Sequence, residues 1–432
     1  MSLLRKGMLV SGGQLLNIPL GMAAGIIFSR ALGPAGMGQY ELFRTTAVLA
    51  ATVVALGLGQ ANIYFLNNRQ IGPERIATNT LTVGSVLGVL LAVVLFAAVL
   101  LHRGYFGSVS VPVALVFALG VALGLNTNLL RTILTAQLAA RRMVAIDVAR
   151  GLTLLVCGGA LALAGRLSSG SAIVALSVSS AAAFGLLLAY LARYIKLTRP
   201  FEWPLLRGVV VYGLKLAAAN LLQVLAASTT VLLLRYLRSD QFADVGLYTR
   251  AVAVCSLVSV VPTALGPLLY AKWCSTRGPE RARQAELASR LNLAYGLVMC
   301  LGVALLGKYV LWLLYGREFI PGAAALLPLA PALLFLPLFE VCNNLLAGDG
   351  KAMITACILA GTLCVVASVT YLTVPSLGIR GAALGVLGGN AFTGLVSLAV
   401  CRKLYGLRIR HCLLLQKDDW QVIQGVLWRR PR

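Results

Sequence analysis

Stretches apolar enough to cross a bilayer recur every 30 to 40 residues along this 432-residue chain. A hydrocarbon core about 30 Å thick offers the backbone no water to bond with, so stretches of about 20 apolar residues cross it as helices, which satisfy their own N–H and C=O groups. Twelve such spans fit, at 8–31, 40–66, 75–101, 111–139, 145–165, 171–194, 206–234, 246–271, 291–314, 323–347, 351–374 and 379–405. No interval between them is long enough for an inserted soluble domain. With 59% hydrophobic and only 12% charged residues, the chain reads as an all-α polytopic membrane protein. Its 44 glycines suit helices packed backbone to backbone.

The first hairpin is spelled out between Gly25 and Arg44. Arg30 closes one helix with a cation at its C-terminal end, Gly33, Pro34, Gly36 and Gly38 interrupt it, and Tyr40 opens the next apolar run. A similar pattern returns at Arg235–Leu237 and Val245–Tyr248, which points to two similar halves. The echo is imperfect: Arg44 follows Tyr40 by four residues and Arg250 follows Tyr248 by two, which places the two arginines on different helical faces. Six spans in each half make a parallel repeat of two six-helix bundles, at 1–194 and 206–405. A basic, Pro-containing linker at 195–205 joins them, and a basic tail at 406–432, with Trp420 and Trp428, reads as a membrane-surface segment. The stretch 275–290 reads as an exposed cytoplasmic helix, and span nine is the least regular, because Lys308 precedes a possible interfacial piece at 309–315.

Of the 37 lysines and arginines, 24 fall at the termini and on connections of one side, eight on the other side and five inside spans. That bias places both termini in the cytoplasm, in a cell inner membrane. The net charge of +24 is thus mostly topological; its expected counterpart is anionic membrane lipid, since no soluble domain exists to carry a nucleic-acid patch. The amino terminus, with Gln14, Asn17 and Pro19 interrupting its apolar stretch, reads as an uncleaved first helix.

Cysteines 157, 255, 274, 300, 342, 357, 364, 401 and 412 are scattered singly, and His102 and His411 lie far apart, so neither a metal site nor a disulfide framework is expected. No GxSxG, HExxH or P-loop pattern occurs, and the outer loops are short and nearly free of acids and histidines; the chain reads as a non-enzyme without a cofactor.

Ionisable groups inside spans are costly and face cavities or partners, so they are the first candidates for function. Arg44 and Arg250 fall early in spans that begin outside and so in the outer half, while Arg131, Arg150 and Lys215, the last in the second or third turn of span seven, fall in the inner half or near the midplane. Asp147 and Arg150 are spaced i,i+3, as are Glu41 and Arg44, so local pairing cancels part of the charge. Lys215 has no acid on its own helix and is the strongest cavity candidate. Asn126 and Asn128 accompany Arg131, and Asn220 and Gln223 accompany Lys215, as polar stripes that either line a cavity or fasten helices together. A cationic, hydrogen-bonding cavity suits an anionic, hydroxyl-rich cargo. Glu41, Asp147 and Glu340 are the weak candidates for an ion-coupling site.

The ordered set SRALGPAGMGQYEL (29–42), the block 212–272 with VGLYTRA (245–251), LLYGREFIPGA (313–323), LAGDGKA (346–352) and VPSLGIRGAALG (374–385) resembles the polysaccharide-transporter, or oligosaccharide flippase, family of the multidrug/oligosaccharidyl-lipid/polysaccharide (MOP) superfamily. The resemblance covers nearly the whole chain. It implies two six-helix bundles in a V, alternating access without an ATPase domain, and a polyprenyl-pyrophosphate-linked oligosaccharide, such as an O-antigen or exopolysaccharide repeat unit, moved from the cytoplasmic to the outer leaflet. It also implies basic cavity residues that handle the phosphates, and working partners such as a glycan polymerase or other polysaccharide-assembly proteins. Three alternatives stay open: an ion-coupled multidrug antiporter of the same superfamily; a lipid II flippase, whose usual members have fourteen spans; and a non-transport scaffold of a glycan-synthesis complex. Neither the glycan nor the driving force is written in the sequence.

Overall fold

In the computed structural model of the chain the described residues are 3–69, 71–137, 139–192, 195, 202–238, 241–258 and 279–413. Within the helices, the side chains of residues 3–18, 140, 215, 216, 279 and 352 lie outside that description. Every described element is helical. In order they are α1 (Leu3–Ala55), α2 (Leu58–Asn67), α3 (Pro73–Leu101), α4 (Arg103–Phe106), α5 (Val111–Ala136), α6 (Ala140–Leu163), α7 (Ser169–Leu191), α8 (Trp203–Leu237), α9 (Phe242–Val258), α10 (Pro279–Tyr315), a 3₁₀ turn (Arg317–Gly322), α11 (Ala323–Gly348), α12 (Ala352–Leu377), α13 (Ile379–Tyr405) and α14 (Ile409–Leu413).

Ten of these are long and apolar enough to span a membrane. The count meets the expected twelve once α1 is divided and α9 is added. Gly33 sits at φ 64° and ψ −179°, a backbone conformation outside any helix, so α1 is two limbs, 3–32 and 34–55. Pro34 then opens the second limb, a position where its missing N–H costs nothing. That limb is itself interrupted at Leu56 and Gly57, both at positive φ, before α2 completes the crossing. The eighth expected span, 246–271, is described as far as Val258.

Chain contacts group the protein into two compact units, residues 1–249 with 314–319, and 250–313 with 320–432. This grouping differs from the sequence halves, because α8 packs on α1 and α2. In the first unit α3 packs on α5, α1 on α6, and α7 on both α5 and α6. The hairpin echo reappears there as a contact. A Cβ on Gly38 would stand 1.8 Å from the Phe242 carbonyl oxygen, and one on Gly246 would stand 2.0 Å from that of Pro34. Each oxygen lies four residues before the opposite glycine, so the two copies of the pattern cross reciprocally.

In the second unit α13 lies between α11 and α12. Small residues at 381, 385, 389, 393, 397 and 401 put a narrow edge of α13 inward at every fourth position. The expected exposed helix at 275–290 is, from Pro279, the first part of a single continuous α10 reaching Tyr315, so span nine is unbroken. One face of its first turns is buried: Ala285 joins a core with Leu338, Cys342, Leu345, Cys401 and Cys412, while Glu280 and Arg283 are exposed. Residues 406–413, expected to belong to a surface tail, fold back onto this core, where the Arg408 N–H donates to Glu286 Oε1 at 2.8 Å and Arg290 donates to the His411 carbonyl at 2.7 Å. Trp420 and Trp428 lie outside the described residues.

Candidate functional site

The first unit gathers three arginines and two carboxylates from three helices. Residues 40–43 on the second limb of α1 are buried, with Phe43 packed edge-on against Phe117 at 4.8 Å and Tyr40 against Phe28 at 5.2 Å. Phe28 in turn occupies the space over Gly158 of α6, where a Cβ would be 2.0 Å from its ring. This packing fixes the rotation of α1 against α6 and leaves Arg44 facing outward from the apolar core, its side chain 53% accessible. Arg44 Nη1 donates to both oxygens of Glu41, at 3.0 and 3.1 Å. On the neighbouring helices Arg131 of α5 is ion-paired with Asp147 of α6.

Arg150 completes the group. It is exposed and lies within electrostatic reach of Tyr40, Arg44, Asp147 and Arg131, with no acid at ion-pair distance among the described residues. Three cations against two anions leave one positive charge in excess inside membrane spans. An arginine that is accessible at mid-span sits far more cheaply in a wet recess than against lipid. Its planar fork suits a phosphate oxygen pair.

Several placements differ from the sequence reading. Arg44 was expected in the outer half and Arg150 in the inner half or near the midplane. Because the second limb of α1 starts at Pro34 and not at Tyr40, Arg44 lies ten residues, about 15 Å, into its helix. Arg150 is ten residues into α6, at about the same depth, so the two meet. Asp147 pairs across helices with Arg131 instead of with its i,i+3 neighbour Arg150. Asn126 is not a cavity residue: it is buried, and its Nδ2 donates to the Gly84 and Ala122 carbonyls at 3.0 Å, fastening α5 to α3. Gly84 leaves room for that amide, since a Cβ there would fall 2.5 Å from Asn126 Oδ1.

Asn128, on α5 with Arg131, is exposed, as are Asn220 and Gln223 on α8. Lys215 falls twelve residues into α8, about 18 Å and so deeper than expected, because the helix starts at Trp203; its side chain lies outside the described residues. Arg250 is buried on α9 and belongs to the second unit.

Two residues were named in the sequence as parts of the hairpin pattern but not as site residues. Tyr40 lies near Arg44 and Arg150 as a neutral phenol; its i,i+4 spacing to Arg44 was the available signal. Arg235, counted among outer-loop charges, is 2% exposed. It donates to the Tyr105 and Gly104 carbonyls at 2.8 and 2.6 Å and lies 3.7 Å from the Phe242 ring, closing that end of the unit. Burial there pushes the Tyr105 phenol up to about 12, although Arg235 opposes the shift, and its hydroxyl donates to the Leu232 carbonyl. The sequence marked Arg235 only as part of the repeated pattern and not as buried, because an arginine in the last turn of a membrane helix is ordinary.

Residues 3–266, more than half of the chain, match the family model described as polysaccharide biosynthesis protein. The chain belongs to the polysaccharide biosynthesis protein family. Curated proteins yield no sequence match. Among solved structures, this family member is similar to a multidrug resistance MATE family transporter of the MOP superfamily in its inward-facing conformation, at 17% identity and a TM-score of 0.74, covering 90% of this chain and 94% of that one. It is also similar to an outward-facing MATE family transporter, at 18% identity and 0.64, covering 93% and 95%. A third is a MOP superfamily transporter from Pyrococcus furiosus Vc1, described as having a binding pocket of reversed polarity, at 17% and 0.66, again over 93% and 95%. The family member therefore has the fold of the MOP superfamily, with about twelve helices in two bundles.

Proposed function

We propose that the protein is a flippase that carries a polyprenyl-pyrophosphate-linked oligosaccharide from the cytoplasmic to the outer leaflet of a cell inner membrane by alternating access. The observation that carries this reading is Arg150, an accessible mid-span cation beside the arginines Arg44 and Arg131 and left in excess after both carboxylates of the cluster are bonded. A site with surplus positive charge favours an anionic headgroup and disfavours the organic cations that a multidrug antiporter would take. Membership of a polysaccharide biosynthesis family and a transporter fold support the same cargo class. Lys215 and the exposed Asn128, Asn220 and Gln223 are assigned to the same path, the amides to sugar hydroxyls.

The test is transport in liposomes of a labelled lipid-linked sugar. A charge-assisted hydrogen bond is worth about 1.5–3 kcal/mol, so Arg150→Ala is expected to weaken cargo affinity about 10- to 100-fold, with Arg150→Lys intermediate. Unchanged sugar transport by Arg150→Ala, or efflux of a cationic dye in place of sugar transport, overturns the proposal.

A further inference from the structure

Three carboxylates lie inside the spans as the sequence bounds them. Glu41 is bonded to Arg44 and Asp147 to Arg131. Glu340 differs from both. It lies in α11, eight residues and about 12 Å from the end of the helix, half-buried, with neither a hydrogen bond nor an ion pair among the described residues.

No neighbouring element supplies it with a bonded counter-charge among the described residues. α11 packs on α13 and α12. Between Ala352 and Leu377 on α12, and between Gly381 and Cys401 on α13, no residue is charged, and the titratable groups are only Cys357, Cys364, Tyr371 and Cys401. From Leu291 to Gly307 on α10 there are Tyr295 and Cys300, and from Ala251 to Val258 on α9 there is Cys255. The charged residues of these elements are Asp244 and Arg250 on α9, Glu280, Arg281, Arg283, Glu286, Arg290 and Lys308 on α10, Lys351 before α12, and Arg380, Arg402 and Lys403 on α13; among the described residues none is hydrogen-bonded or ion-paired to Glu340, Arg281 being bonded to Asp349 and Arg290 to the His411 carbonyl. On α11 itself Asn343 and Asn344 follow at i+3 and i+4 and are half-buried like Glu340, while Leu338, Val341, Cys342 and Leu345 fill the opposite, buried side. Three polar residues share the one face of α11 that the core does not use.

We propose that Glu340 is the proton-coupling site of this transporter. A carboxylate at this depth is expensive as an anion without a partner, and binding one proton from water makes it neutral without any further ligand. A sodium ion would need several further oxygens converging on the same carboxylate. Each cycle then carries one proton on a carboxylate oxygen, the anion converting to the neutral acid when the site faces the proton-rich side. This rests on the transport reading but not on the identity of the cargo.

The full-length protein in lipid bilayers is compared with Glu340→Gln, which keeps the shape of the protonated acid, and with Glu340→Asp. Infrared difference spectra over a pH titration, with no cargo present, are expected to show a protonated-carboxyl carbonyl band in the wild type, shifted in Glu340→Asp and missing in Glu340→Gln. In liposomes an imposed pH gradient is expected to speed transport of the labelled lipid-linked sugar about tenfold for the wild type and to leave Glu340→Gln unchanged. Survival of the band in Glu340→Gln, an unaltered gradient response in that variant, or acceleration by a sodium gradient alone overturns the proposal. A band that depends on Glu340 in a protein that moves no sugar supports the proton site while removing the cargo assignment.

Discussion

Residue by residue, position in a helix decides what a charge in this chain does. Arg131, Arg44 and Arg150 are the same side chain in similar apolar runs, yet one is clamped across helices, one along its own helix, and one is left with a spare charge. Outside the spans the same rule applies to Asp349, between α11 and α12, which is ion-paired with Arg281, with Lys351 3.5 Å away. Burial would raise its carboxyl, but the Tyr405 hydroxyl, Arg281 and Lys351 outweigh burial and hold it below the ordinary value of 3.8. Because the folded-state value is depressed, the stability this group supplies is present above the unfolded value and is lost as pH falls through the folded one. Asp349→Asn is therefore expected to melt below the wild type by a constant margin from neutral pH down to about pH 5, with the margin closing below about pH 4. Thermal unfolding in detergent across that range measures it, and a gap that persists undiminished into strong acid would contradict the assignment.

Elements are shaped by where a side chain is absent. The reciprocal crossing of the hairpin copies exists because Gly38 and Gly246 let two backbones meet with no Cβ between them. A methyl at either site would land within 2 Å of a main-chain oxygen, which cannot rotate away. Overpacking of this kind costs about 1–3 kcal/mol, so Gly38→Ala and Gly246→Ala are each expected to lower the melting temperature by several degrees, and by similar amounts. Gly159→Ala, with open space around it, is the control and should leave stability unchanged. Equal stability of all three variants would mean that the crossing is not tight. At Gly57 the demand is double: its φ of 69° suits glycine, and a Cβ would also strike the Gly213 carbonyl of α8 at 2.2 Å.

For the whole molecule, the charge asymmetry makes an independent prediction. With 24 cations on one side and eight on the other, reporters fused after residue 195 and at the carboxyl end are expected to share the cytoplasmic side, and one inserted at Gly316 to lie opposite. Activity of a periplasm-dependent reporter at both of the first two sites would refute that orientation. The sequence by itself determined the all-helical class, the twelve crossings and the breaks at Gly33 and Pro34, because a bilayer forces backbone bonds to close locally and hydrophobic length is written residue by residue. It also named every charged residue of the arginine and carboxylate cluster. Only the tertiary structure decided which of them pair, that Asn126 is a fastener and Arg235 a buried clamp, and that Glu340 has no hydrogen-bond or ion-pair partner among the described residues. Those outcomes depend on helix rotation and on where each helix begins, and both are set by contacts such as Phe28 on Gly158 between residues more than a hundred positions apart.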